Sequence, residues 1–168
     1  MFQATRPTFK IIESYDAFFL DAYGVLVTST GPIDHAASFL AKLRHQRKPF
    51  YILTNDASRS PSLAAEHYQK NGLAIEPAQV LSAGLVLQNE IKRLKENPFG
   101  LVLGTEASRQ MARDAGAIIE NHSVFTGDFQ SESFAAGTTN TLDFIAVCDD
   151  SGFDTLPALN RVLSRLLN

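Results

Sequence analysis

The chain is expected to fold as a mainly parallel α/β structure, and two observations carry that expectation. Short apolar runs alternate with amphipathic helical patterns along nearly its whole length. Two of those runs, separated by a single strand–helix–strand unit, each end in polar residues. In open α/β sheets such strand ends share one edge, where ligands bind.

The first run, Phe18–Phe19–Leu20, ends at Asp21 and is followed by Tyr23 and Gly24. Asp34 is the expected cap of the next helix, whose apolar positions are Ala36, Phe39, Leu40 and Leu43. Pro49 closes that helix, and Phe50 to Leu53 form a second run ending at Thr54–Asn55. Ser60–Pro61 starts another helix, since proline suits its first position. Asn71–Gly72 is a stop.

Val80–Leu81 form a short strand, and Leu87, Ile91 and Leu94 mark a helix ended by Asn97–Pro98. Phe99 to Leu103 reads as a strand. Thr105 caps a helix from Glu106 to Ala115, with Gly116 as its stop, and Ala117 to Ile119 reads as a further strand. Residues 121–141 are polar, without a clear period, and read as a long loop. Asp143 to Cys148 is the last strand. Asp154 caps a final helix carrying Leu156, Leu159, Leu163 and Leu166.

Composition narrows the function classes. The 168 residues suit one domain or slightly more. A net charge of −3 gives no reason to expect nucleic acid or an anionic membrane as partner. No apolar stretch approaches a membrane span. The single cysteine, Cys148, permits no internal disulfide, and the N-terminus has no signal-peptide pattern, so a cytoplasmic location is expected. The four histidines show no metal-ligand spacing.

Asp21 at a strand end, before a glycine that allows a sharp turn, is a candidate nucleophile or metal ligand. Taken alone it is equally well a solvated acid. Thr54 and Asn55 could bind a phosphate oxygen together with backbone N–H groups. Alone they are ordinary turn residues.

Asp21-x-Tyr23-Gly24-Val25 resembles motif I of the haloacid dehalogenase (HAD) superfamily, and Tyr51 to Asn55 resembles motif II. The stretch Leu53 to Ser60 resembles the Thr-Asn-Asn-Ser-x-Arg-Ser segment of class IIA, which includes NagD-like and p-nitrophenyl-phosphatase-like enzymes. Ser82–Ala83, Leu101 to Glu106, Phe144 to Val147 and Phe153 to Leu156 follow the same group in order. One strand–helix–strand unit between Asp21 and Thr54 leaves no room for a class I cap. The resemblance therefore implies a Rossmann-like HAD core over 1–97 and the first part of a class II α/β cap over 98–168. It also implies that the chain stops inside that cap, before the motif III lysine and the motif IV acids.

The same resemblance implies roles. Asp21 would be the nucleophile and would also bind Mg²⁺, with the backbone carbonyl of Tyr23 as a second metal ligand. Thr54 and Asn55 would hold the phosphoryl group of a small phosphorylated metabolite. Tyr23 stands where most family phosphatases have a second aspartate, the general acid and base, and a phenol does not serve as a carboxylate base. Three readings follow: a phosphatase of reduced activity, a dehalogenase (whose motif I is Asp-x-Tyr-Gly), or a non-catalytic binding protein or inactive fragment.

Overall fold

Four residues, Phe18–Asp21, form strand β1, and their alternation of burial shows how the sequence is used: Phe18 is buried and Phe19 exposed. The computed structural model describes residues 8–120 and 141–167. The expected loop over 121–141 lies outside the described residues apart from Thr141. The chain divides into two compact units. One is Met1–Thr54 with Pro61–Ser82, and the other is Asn55–Ser60 with Ala83–Asn168.

The first unit opens with helix α1 (Thr8–Ser14) and β1. A small hairpin follows, β2 (Val27–Thr28) with β3 (Gly31–Pro32), paired antiparallel. Helix α2 (Ala36–His45) then leads to β4 (Phe50–Thr54), and helix α3 (Pro61–Lys70) to β5 (Val80–Ser82) through a 3₁₀ turn at Pro77–Gln79. The three longer strands form a parallel sheet in the order β1-β4-β5. Phe18, Phe50, Ile52 and Val80 share one core with Ile12, Leu40, Leu43, Ala64, Ala65 and Tyr68. With a side-chain period of two, these strand residues lie on one face of the sheet.

The second unit carries α4 (Ala83–Arg93), β6 (Phe99–Leu103), α5 (Glu106–Asp114), β7 (Ile118–Ile119), β8 (Phe144–Val147) and α6 (Thr155–Leu167). Its sheet is also parallel, in the order β7-β6-β8. Val102 and Ala146 pack with Ile91 and Ala112. The alternate residues Leu101 and Leu103 pack with Ala158 and, partly buried, Val162. Both sheet faces are thus used, as a parallel sheet requires. Gly100 is opposite Phe144 in the register, and the Phe144 ring occupies the space where a Cβ on residue 100 would sit.

The expected strands and helices are present, with differences at some ends. Asp34 does not cap α2. The N-cap is His35, in the left-handed region at φ 70°, with no side-chain capping bond. The Ala36 N–H instead donates to the Ile33 carbonyl, so a backbone turn replaces the side-chain cap. Thr105 does cap α5, its side chain accepting from the Ser108 N–H. The helix ends at Asp114, a residue short of the expected Ala115, and Gly116 follows at φ 96°. Leu156, Leu159, Leu163 and Leu166 of α6 are exposed, because the small Ala158 and Val162 form the face that meets the sheet. Cys148 is half-buried, just past β8.

Candidate functional site

β1 and β4 run parallel with Asp21 opposite Leu53, so Thr54 lies one residue further along the neighbouring strand. Asp21 and Thr54 therefore sit together at the carboxyl edge of one sheet. Strand spacing and rise put their Cα atoms roughly 6 Å apart. Tight pairing of two apolar strands fixes this arrangement, because a one-residue slip of β1 would turn Phe18 out of the core, and one of β4 would turn out Phe50 and Ile52.

Asp21 is exposed, and its Oδ1 accepts a hydrogen bond of 2.8 Å from the Ala22 N–H. The chain then turns sharply. Gly24 adopts φ 83°, which side-chain-bearing residues rarely reach. The carbonyl of Ala22 accepts from the N–H groups of Val25, Leu26 and Val27, and the Gly24 N–H donates to the Val27 carbonyl. Ala22 and Leu26 are buried beneath this turn, while Tyr23 is 67% exposed. The Tyr23 phenol is accordingly presented outward beside Asp21 and is not built into the core. Thr54 is half-buried at the end of β4.

Asn55 is exposed and belongs to the second unit, so the strand end splits between the two units at the Thr54–Asn55 bond. The segment after it is held within that second unit. The Ser108 hydroxyl donates to the Ala57 carbonyl at 2.9 Å, and the Thr105 hydroxyl donates to the Ser58 carbonyl at 2.8 Å. The Gly84 N–H donates to the Asp56 carbonyl. Asp56 Oδ1 accepts from both the N–H and the hydroxyl of Ser58, and Arg59 Nε pairs with Asp56 Oδ2 at 3.0 Å. Arg59 thus forms a local ion pair.

Of the residues expected to bind Mg²⁺, Asp21 ends β1 and Tyr23 lies in the turn that follows it. Among the described residues no three His, Cys, Asp or Glu side chains group to hold a metal. An octahedral Mg²⁺ shell needs more than this pair supplies. Asp149 bonds to the N–H and hydroxyl of Ser151, as a turn-forming residue does, and this holds its carboxyl below the usual range.

A cleft of about 360 Å³ opens in the first unit, lined by residues that include Leu20, Val25, Phe39, Asp34, His35 and Lys42. Sequence reading did not single it out, since it forms where the motif I turn meets the first turn of α2. Asp21 is not among its lining residues.

Residues 18–118 match the family model of haloacid dehalogenase-like hydrolases. The acid sugar phosphatase of Staphylococcus epidermidis is 26% identical over 110 residues, 66% of this chain and 42% of that protein. A possible sugar phosphatase of the HAD superfamily from Cytophaga hutchinsonii superposes with a TM-score of 0.81 at 27% identity, over 97% of this chain and 55% of that one. The glycerol phosphate phosphatase of Mycobacterium tuberculosis, solved in complex with magnesium, shares the fold. Its TM-score is 0.68 at 17% identity, over 92% of this chain and 42% of that one. The chain spans about half the length of the relatives it matches. No helix among the described residues is long and apolar enough to cross a membrane. With motif I on β1, motif II on β4 and a family match over more than half its residues, the chain belongs to the haloacid dehalogenase-like hydrolases, in their class IIA.

Proposed function

We propose that this chain carries the nucleophile-bearing part of a phosphatase that acts on a small phosphorylated metabolite through an aspartyl-phosphate at Asp21. The observation that supports this most is the shared edge of Asp21 and Thr54 on adjacent parallel strands. The Asp21 carboxylate would attack phosphorus, forming an O–P bond as the bond to the leaving oxygen breaks. The Thr54 hydroxyl would donate to a phosphoryl oxygen and orient the group for in-line attack, with Asn55 following it. The relative named as a sugar phosphatase supports a phosphorylated sugar as the substrate class. We assign residues 1–97 to the core and 98–168 to the first part of a class II cap. The two separate parallel sheets fall on either side of that boundary.

Mg²⁺ would neutralise charge on the transferring group when bound, and the side chain of Asp21 and the backbone of Tyr23 are its ligands on this reading. Those two donors do not make an octahedral site by themselves. Tyr23 alters the proton inventory. The leaving alkoxide needs a proton and the aspartyl-phosphate needs an activated water, and a phenol supplies the second poorly. Loss of a general acid costs about 10²–10⁴-fold in rate. Aryl phosphates, whose leaving groups need no proton, should react fastest. Asp-x-Tyr-Gly also favours a second reading, displacement of halide from a 2-haloacid by Asp21, since halide leaves unprotonated.

The test is turnover of p-nitrophenyl phosphate with Mg²⁺ by the native chain and by Asp21→Asn. Turnover well below an ordinary ~10 s⁻¹, abolished in Asp21→Asn, is expected. Turnover unaffected by Asp21→Asn would overturn the nucleophile assignment. In longer relatives with the same motif I, Tyr23→Asp should raise alkyl-phosphate turnover by ~10²-fold. Halide release from a 2-haloacid, lost on that substitution, would establish the second reading instead.

A further inference from the structure

Asp21 and Tyr23 are exposed on either side of the buried Ala22, and Tyr23 forms a parallel bridge with Val27. With a side-chain period of two, the Asp21 carboxylate and the Tyr23 phenol leave the extended chain on the same side. At strand rise their Cα atoms are roughly 7 Å apart, so one small ester can touch both residues.

The ring is held ready for contact. The Ala22 carbonyl accepts three N–H groups, and the Gly24 N–H donates to Val27, which fixes the backbone that carries Tyr23. Tyr23 is 67% and Val25 48% exposed. Gly24 stands between them, and a Cβ there would meet nothing within 4 Å, so the space beside the two side chains is open. Among the described residues, the ring pairs of this unit are Tyr15 with Phe18, Phe18 with Phe39, Phe19 with Tyr51 and His67 with Tyr68. Tyr23 belongs to none of them. A phenol replaces a carboxylate poorly in proton transfer, but it offers a rigid aromatic face with few torsions to freeze.

We propose that Tyr23 sets the specificity of this site by stacking on the leaving group, and that the substrate is a phosphate monoester of an aromatic ring. The phosphoryl group would lie at the phosphate site proposed for Asp21 and Thr54, on which this inference rests. The ring it esterifies would lie against Tyr23, with Val25 at its rim. Stacking adds affinity, which is separate from the rate advantage of a leaving group that needs no proton. A phosphorylated sugar without an aromatic ring would be held at its phosphoryl end alone.

The experiment titrates the ¹⁵N-labelled 168-residue chain, with Mg²⁺ present, with phenylphosphonate and with cyclohexylphosphonate. Both carry the same anionic group and neither is hydrolysed, so leaving-group basicity does not enter. Dissociation constants are read from the amide shifts of residues 21–24. Phenylphosphonate should bind about 2- to 10-fold tighter, with nuclear Overhauser contacts between its ring and that of Tyr23. Tyr23→Phe should keep this preference. Tyr23→Leu should abolish it with circular dichroism unchanged, since the position is exposed. Equal affinity for the two phosphonates in the native chain, or a preference that survives in Tyr23→Leu, would overturn the aromatic assignment and leave the phosphate site standing. Tighter binding of glucose 6-phosphate than of phenylphosphonate, lost in Tyr23→Leu, would give the Tyr23 face to a sugar and overturn it likewise. Binding of neither phosphonate would overturn the phosphate site itself, and this inference with it.

Discussion

Ser108→Ala isolates the contact that holds the segment following motif II. Ser108 is fully buried, and its hydroxyl donates to the Ala57 carbonyl at 2.9 Å across 51 residues of sequence. Alanine removes one oxygen and adds no bulk, so overpacking does not enter. What remains is a lost hydrogen bond, worth about 0.5–1.5 kcal/mol net, and a carbonyl deprived of its donor, costing about 1–3 kcal/mol. The second term dominates, and the expected loss is about 1–3 kcal/mol for the unit containing α5. Thr105→Ala should cost a similar amount, since it removes both the α5 cap and the bond to the Ser58 carbonyl. The two hydroxyls also contact each other at 3.1 Å, so the double variant should be non-additive by at least ~0.5 kcal/mol. Urea unfolding gives the energies, and amide exchange at residues 56–59 reports on the segment itself. Asn89→Ala on the exposed face of α4 is the control and should stay within about 0.5 kcal/mol of the native chain. A Ser108→Ala loss no larger than that control, with unchanged exchange at 56–59, would refute the latch.

Three further outcomes are expected. Gly100→Ala forces a Cβ into the Phe144 ring and should destabilise by about 1–3 kcal/mol in urea unfolding, with part of the loss recovered when Phe144 is shortened to Leu. Ile52→Ala, at a fully buried position of β4, should cost about 2–5 kcal/mol, whereas Leu53→Ala on the opposite face of the same strand should cost little. Equal losses would mean that both faces are packed. Burial, helped by the neighbouring Asp149 charge, pushes the Cys148 thiol up to about 11. At pH 8 it should therefore label with iodoacetamide much more slowly than a free cysteine. The sign for stability follows: the folded chain keeps the thiol proton after the unfolded chain has lost it. Stability is thus unaffected below the ordinary thiol range and falls as pH rises from there toward 11.

Much of the fold was legible because strong local signals coincide. The apolar runs 18–20, 50–53 and 99–103 are too short for helices and are bounded by turn residues. Pro61 and Thr105 mark helix starts, and Gly72 and Gly116 follow helix ends at positive φ. The hairpin of β2 and β3 was not legible, because strands of two residues, Val-Thr and Gly-Pro, are too short to show an alternation of apolar residues. Asp34 looked like a cap from residue type alone, but the Ile33 carbonyl satisfies the Ala36 N–H and the side chain has no such task.

The site divides in the same way. Asp21 and Thr54 could be paired from sequence, since a single strand–helix–strand unit between them brings their strands side by side. The latch of residues 56–58 by Gly84, Thr105 and Ser108 could not. Its hydroxyl bonds join residues 47 and 51 positions apart, and serine and threonine at a helix start explain themselves locally as caps. The exposure of Phe19 and Leu53 was equally hidden, because an uninterrupted apolar run does not reveal whether one or both faces of its strand are covered.

The central claim is that Asp21 and Thr54 form one phosphate site at one sheet edge. Titration of the ¹⁵N-labelled chain with inorganic phosphate in the presence of Mg²⁺ tests it most directly. The account predicts amide shifts confined in the first unit to residues 21–24 and Thr54, absent in Asp21→Ala and weakened in Thr54→Val. Shifts that leave both strand ends untouched, or that persist unchanged in both variants, would contradict it.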